Sequence, residues 1–323
     1  MSNVFDVVLL MALPASGKSE VRNFMANIEG RRLQEEFHIG ENLQLDDFPY
    51  VHMMNRIDEE LVKLGRPRSF YREEGMFKDS RVYGALCHLL NEDYHDLLDR
   101  NIVRTDSAAE YLFERIDRAL QIVGMAPETA LLEADVRVKI AAALEAEARE
   151  MQDAKEAQYP QSFENKTIII ECARGGKDGS AMPLSGPEGY QYSFPQFCPG
   201  ILQNAAILYI WVTPEESRRK NFARANPDDP GSNLFHGVPL SVMMADYGCD
   251  DMQYLREHTE VENTITVKAH DVTYHLPIGV FDNRVDKTSF LRADKQDWDP
   301  QMVADVTRAI RAATDAMWSH YKK

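Results

Sequence analysis

Apolar positions along this chain come first as an unbroken run and only later at regular intervals. Val4–Leu13 is almost wholly apolar, the pattern of a central strand in a parallel sheet covered on both faces. Val21, Phe24, Met25 and Ile28 then fall at helical spacing and predict a helix over 19–28, ended by Gly30. Leu43, Gln44 and Leu45 read as a short second strand that closes on Asp46 and Asp47. From about 50 to 160 no strand pattern is present, and 53–64, 82–98, 108–123 and 129–158 all read as helices. The last carries Leu132, Val136, Ile140 and Leu144 on one stripe.

Strands return at Lys166–Glu171, a buried β-branched run, and at Ala205–Val212. The Gly- and Pro-rich stretch 175–200 and the stretch 226–240 read as loops. After the 205–212 strand, Thr213, Pro214 and Glu216 spell an N-cap, a first-turn proline and a capping box. Thr264–Val267 and Val272–Val280 read as a strand or a hairpin. Asp299 and Pro300 open a last helix with Val303, Val306, Ile310, Ala313, Met317 and Tyr321 on its apolar stripe. The order predicts an α/β fold: a doubly wound, mainly parallel, five-stranded sheet with a large all-helical insertion after the second strand. Residues 1–50 and 161–298 form the expected core, 51–160 the insertion, and 299–323 a C-terminal helix packed on the core.

Charge narrows the partners. A net charge of −16 argues against nonspecific nucleic-acid binding and against adhesion to anionic lipid, both of which need a basic face. A local basic pocket for an anion remains compatible with it. No apolar run is long enough to cross a bilayer, and the N-terminal stretch carries Asp6 with no basic segment, so no signal peptide is expected. Cys87, Cys172, Cys198 and Cys249 match no zinc or redox spacing. They are expected as ordinary thiols of a cytoplasmic protein. His270 and His275, or His88 and His95, lack the helical zinc spacing.

The chemistry concentrates where the first strand ends. "ALPASGKS" (12–19) fits the phosphate-binding pattern G-x-x-x-x-G-K-[ST] with Ala12 at its first position. Such a match arises by chance in roughly 2–3% of chains of this size, so the flanking strand and helix are what make it count. In that setting the backbone N–H groups of Ala15, Ser16, Gly17, Lys18 and Ser19 would surround a phosphate. Lys18 would reach the β- and γ-phosphates, and the Ser19 hydroxyl would ligate Mg²⁺. A methyl at position 12 is compatible with the end of a strand, whereas position 17 is where backbone crowds phosphate.

These residues resemble the loops of P-loop NTPases of the nucleoside- and nucleotide-kinase kind, which often read G-x-P-G-S-G-K-S. The proline, the serine before the glycine and the Gly-Lys-Ser ending are kept. The resemblance covers the strands and loops around 4–50 and 165–290, and zeta-toxin-like kinases are a looser match. It implies ATP and Mg²⁺ as cofactors and a small-molecule acceptor, with an acidic residue after the second strand contacting the acceptor hydroxyl: Asp46 or Asp47. An Asx turn or helix cap is the alternative role for that pair. Glu171, at the tip of its strand, would support Mg²⁺ or act as the base with Arg174 nearby. Arg218, Arg219 and Arg224, with Lys220, look like a lid helix closing on the transferring phosphate; a solvated helix face paired with residues such as Glu215 is the alternative. "VFDNRVDKTSF" (280–290) is similar to the turn near the adenine in such kinases, so Asn283 and Arg284 would border the base. By the same analogy the helical insertion, with Arg66, Arg68, Arg72, Lys78 and Arg81 among Phe70, Tyr71 and Phe77, would recognise the acceptor.

The expected function is therefore an ATP- and Mg²⁺-dependent phosphotransferase acting on a small hydroxyl or phosphate acceptor. The alternative is a nucleotide-binding switch or partner-binding module with slow hydrolysis. A GTPase switch is disfavoured, because no guanine-reading N-K-x-D motif is present. The identity of the acceptor, the choice of ATP over GTP and the oligomeric state are open at this level.

Overall fold

The computed structural model describes residues 3–73, 75–224 and 237–321. In chain order the elements are β1 (Val7–Met11), α1 (Lys18–Ala26), α2 (Gly30–Phe37), β2 (Glu41–Asp46), α3 (Phe48–Lys63), α4 (Val82–Asp99), α5 (Ala108–Ile122) and α6 (Ala134–Glu156). They continue as β3 (Lys166–Cys172), α7 (Gly189–Ser193), α8 (Pro199–Asn204), β4 (Ala205–Trp211), α9 (Pro214–Arg224), α10 (Leu240–Ala245), α11 (Met252–Glu257), β5 (Thr264–Ala269), β6 (Val272–Asp282) and α12 (Pro300–Trp318). Two compact units result. One comprises 1–44, 163–195 and 199–323; the other comprises 45–162 with 196–198.

The fold is α/β, with a six-stranded, mostly parallel sheet in the order β2-β3-β1-β4-β6-β5. β1 pairs in parallel with β3 and β4, and β4 with β6. The expected five strands become six because 264–282 makes two: β5 runs antiparallel to β6. His270 and Asp271, at φ 53° and 59°, form the two-residue turn between them. Two successive positive φ values match the right-handed twist of paired strands.

β1 alternates between two covered faces. Val8, Leu10 and Ala12 join Val21, Phe24 and Met25 of α1, Leu33 and Phe37 of α2, and Val306, Ile310, Ala313 and Met317 of α12 in one buried cluster. Each such fully buried aliphatic or aromatic side chain contributes on the order of 1.5–3 kcal/mol relative to exposure. At Gly279 of β6 an added Cβ would lie 2.1 Å from the Ala313 carbonyl oxygen, so only glycine lets α12 lie this close. Gly30 does not end the first helix as the pattern predicts. α1 stops at Ala26, and Gly30 begins α2, whose Leu33 and Phe37 are four apart on one buried face. The 175–200 stretch, expected as loop, contains one short helix, α7, and runs into the start of α8.

The second unit is built from α3–α6, and its polar interior is closely paired. The Asp93 carboxylate accepts from Tyr50 Oη at 2.6 Å, Arg115 Nη2 at 2.7 Å and Lys155 Nζ at 3.2 Å. Buried Asp58 accepts the backbone N–H groups of Ser69, Phe70 and Tyr71 and so fixes the turn after α3. Those groups would otherwise be buried without acceptors. No helix among the described residues is long and apolar enough to cross a membrane.

Candidate functional site

Strand order locates a crevice. The chain leaves β1 toward the β2 edge and leaves β4 toward the β6 edge, although β1 and β4 are neighbours. Open α/β sheets bind ligands at such a point, outside the C-terminal ends of the strands. Residues 12–17, between β1 and α1, occupy that position. The Ser217 hydroxyl, from α9 after β4, donates to the Pro14 carbonyl at 2.7 Å and ties the two sides together.

The loop's backbone is shaped for an anion. Ala15 has φ 55° and Gly17 φ 109°, with Ser16 between them. Alternation of left- and right-handed residues turns successive N–H groups into one concavity. The first helical bond of α1 runs from Val21 N–H to Gly17 O at 2.9 Å, which leaves the N–H groups of Lys18, Ser19 and Glu20 without acceptors inside the helix. Gly17 is required twice over. Its φ is unfavourable for any other residue, and a Cβ there would meet Thr288 Oγ1 at 2.6 Å and Asn283 Nδ2 at 2.9 Å. Lys18 Nζ folds back to the Ala12 carbonyl at 3.4 Å, across the mouth of the loop. Ser19 is half-buried at the second helical position. Ser16 is fully buried, and its hydroxyl has no hydrogen-bond partner.

Glu171, the last residue but one of β3, is in register with Leu10 of β1. It is buried and accepts from Arg22 Nη1 at 2.5 Å. Arg22 follows Lys18 by one helical turn, so α1 presents both cations along one line. The expected neighbour, Arg174, is engaged elsewhere: its Nε donates to Ser193 Oγ at 3.1 Å. The Glu–Arg pairing thus exists, with a different arginine. Among the described residues no three His, Cys, Asp or Glu side chains gather as a metal site. Ser19 and Glu171 would therefore contribute to a cation only together with the phosphate oxygens it accompanies.

Asp46 and Asp47 close β2 in the helical unit. Asp46 Oδ1 accepts the Phe48 N–H at 2.9 Å, an Asx turn, and Asp47 is the buried N-cap residue of α3. On α9, Arg218 pairs with Asp178 at 3.2 Å and Glu215 at 3.5 Å. Arg219 is exposed and pairs with Glu216 at 2.6 Å. The capping box is therefore half-made: the Glu216 N–H donates to Thr213 Oγ1 at 3.2 Å, but the Glu216 carboxylate turns to Arg219. The side chain of Arg224 lies outside the described residues.

Asn283 is placed differently from its expected position at a base edge. It is fully buried, with Nδ2 donating to the Ser16 carbonyl at 2.7 Å and Oδ1 accepting the Lys287 N–H at 2.7 Å. Its amide builds the loop and has no free edge for a base. Arg284 pairs with Asp282 at 2.7 Å and lies 3.7 Å from the Trp211 ring centroid. That arrangement leaves a flat cationic face near the end of β4.

Besides Arg22, two groups escaped sequence reasoning, Asp286 and Thr288. Lys220, read as part of the lid-like basic run, is instead 1% exposed and pairs with Asp286 Oδ1 at 2.9 Å. Burial lowers its ammonium pKa against the pull of Asp286, Glu216 and Glu20. Burial also acts to raise the Asp286 carboxyl, yet Ser289, Lys220 and the Thr288 N–H hold it far below the carboxylate range. Thr288, the other, touches Gly17 as described. The helical spacing of Lys18 and Arg22 was a usable signal for Arg22. Nothing local marked Asp286 or Thr288. No family model, curated protein or solved structure matches the chain.

Proposed function

We propose that the chain is a phosphotransferase of the P-loop kind, using ATP with Mg²⁺ and transferring to a small hydroxyl or phosphate acceptor. The observation that carries this reading is the 12–19 loop. It lies at the β1/β4 switch point, with Ala15 and Gly17 in left-handed conformations and Lys18 beginning the helix behind it. The orphan Ser16 hydroxyl and the positive φ at Ala15 and Gly17 suit a small anion such as a phosphate group. When bound, ATP·Mg²⁺ would supply the phosphoryl group and the metal's charge. The N–H groups of residues 15–19 and the Lys18 ammonium would hold the phosphates, and Ser19 would offer its hydroxyl to the metal. The Arg218 and Arg219 guanidiniums suit an anion whose charge spreads over several oxygens.

On the acceptor side, Glu171 is the most constrained carboxylate. Held by Arg22 near the C-terminal end of β3, it would orient a hydroxyl or support the metal through water. Asp46 and Asp47 are the other candidates, and the helices α3–α6 supply the acceptor-recognition region in this reading. Lys18→Ala tests it. ADP release, assayed with a panel of hydroxylated metabolites, should fall at least about a hundredfold with the melting temperature preserved. A folded variant turning over at the wild-type rate would refute the reading, and tight nucleotide binding without turnover by the wild type would favour a nucleotide-binding module.

A further inference from the structure

We propose that the buried Lys220–Asp286 pair is a positioning device. It seats the 283–289 segment on the phosphate-binding loop, so that anion binding at 15–19 and the order of that segment are coupled. This rests on the loop being an anion site, as argued above. A chain of contacts makes the connection continuous within one unit. Lys220 of α9 holds Asp286 at 2.9 Å and approaches Thr288 Oγ1 at 3.4 Å. Asp286 Oδ1 accepts the N–H groups of Thr288 and Ser289, both at 3.1 Å. Thr288 Oγ1 in turn accepts from Asn283 Nδ2 at 3.0 Å and occupies the space a Gly17 side chain would need. Asn283 Nδ2 closes the chain on the Ser16 carbonyl at 2.7 Å.

The energetics favour a linking role. A lysine that is 1% exposed carries a large desolvation cost and is offset only by a well-made pair. α9 could instead place a hydrophobic residue there at lower cost, as its neighbour Phe222 is left 62% exposed. What the ion pair adds is direction. It fixes Asp286, and Asp286 fixes two backbone amides beside Gly17. Since Thr288 and Asn283 pack against Gly17, releasing Thr288 would let the 15–19 N–H groups lose their common aim. An anion that needs them aimed must then order them at the expense of affinity. By linkage, the bound anion stabilises the seated segment by the same factor.

The test measures binding of ATP and of inorganic tripolyphosphate by calorimetry, together with amide hydrogen exchange. Because removing only the lysine leaves the half-buried Asp286 carboxylate with only the longer Arg219 contact at 3.5 Å as a charged partner, the main variant is the double substitution Lys220→Met with Asp286→Asn. At a temperature well below its melting point it should bind both probes at least tenfold more weakly, whereas Lys220→Arg should stay within about threefold of the wild type. A purely structural pair would lower the melting temperature and leave affinity in the folded protein unchanged, and that result overturns the proposal. In the wild type, either probe should slow exchange at Thr288 and Ser289; unchanged exchange in a protein that binds the probe also overturns it. A wild type that binds neither probe would instead refute the anion site itself.

Discussion

Arg22 of α1 donates to the Glu171 carboxylate of β3 at 2.5 Å, across 149 positions of sequence. Glu171 is 8% and Arg22 29% exposed, so the pair is partly desolvated and directional. It joins the helix behind the 12–17 loop to the strand beside β1. Arg22 Nε is also buried without a partner, so this guanidinium is only partly used by the protein itself.

Arg22→Met should therefore destabilise the protein by about 2 kcal/mol, since it leaves a buried carboxylate without its charged donor. Adding Glu171→Gln should recover part of the loss. Urea denaturation of both single variants and the double variant gives the coupling. Strict additivity would show that the contact contributes nothing.

Gly17→Ala and Ala12→Gly make opposite predictions within one motif. At Gly17 the left-handed backbone and the 2.6 Å approach to Thr288 should cost about 1–3 kcal/mol and abolish nucleotide binding. Ala12 is fully buried in the α1 and α12 cluster. Restoring glycine there should cost about 1 kcal/mol and leave nucleotide affinity within about twofold. A clear gain in affinity for Ala12→Gly would contradict the assignment of that position to strand packing.

Asp250 should impose an inverse pH dependence. Burial pushes its carboxyl up to about 6, against the Met252 N–H and the Tyr209 hydroxyl, with Asp251 adding to the rise. Between the unfolded value near 4 and this folded value, the native state binds the extra proton. Stability from this group is then full below about pH 4 and falls as pH rises toward 6. Asp250→Asn should remove that slope and gain about 3 kcal/mol over the wild type at pH 8 relative to pH 4. Parallel stability–pH curves for the two proteins would show that Asp250 titrates normally.

Glu145 predicts the opposite sign in the helical unit. Burial opposes ionisation, but the N–H groups of Ala109 and Ala108, the Ser107 hydroxyl and Arg149 outweigh it and lower the carboxyl to about 2. The ion thus caps the N-terminus of α5 from α6. Its contribution is present above the unfolded pKa and is lost as pH falls from about 4.5 to 2. Glu145→Gln should cost about 1–2 kcal/mol at pH 7, allowing for partial exposure, and the difference should close near pH 2. A constant difference across that range would assign the loss to packing alone.

Much of the frame was legible because it is written locally. Burial on both faces makes β1, β3 and β4 unbroken apolar runs, and amphipathic spacing marks α4, α5 and α12. Errors arose where local signals compete. Gly30 was a plausible helix stop, but Leu33 and Phe37 had a core face to reach, so it became a start. Glu216 fitted a capping box, yet Arg219 one turn on offered it a charged partner. Asn283 resembles a base-edge residue through the likeness of its turn to that of P-loop kinases, but tertiary contacts consume its amide.

The sequence by itself determined the strand, the Gly-Lys-Ser turn and the helix, because hydrophobic period, backbone freedom at glycine and helix initiation act over a few neighbouring residues. Only the tertiary structure decided what surrounds that turn. Asn283 bonds Ser16 over a separation of 267 residues, and Thr288 fills the space beside Gly17. Lys220 is buried against Asp286, and Glu171 takes Arg22 in place of Arg174. Each of these partners is chosen by sheet order and burial, which bring distant polar groups together and make an unpaired one costly. No pattern within a single segment encodes that choice.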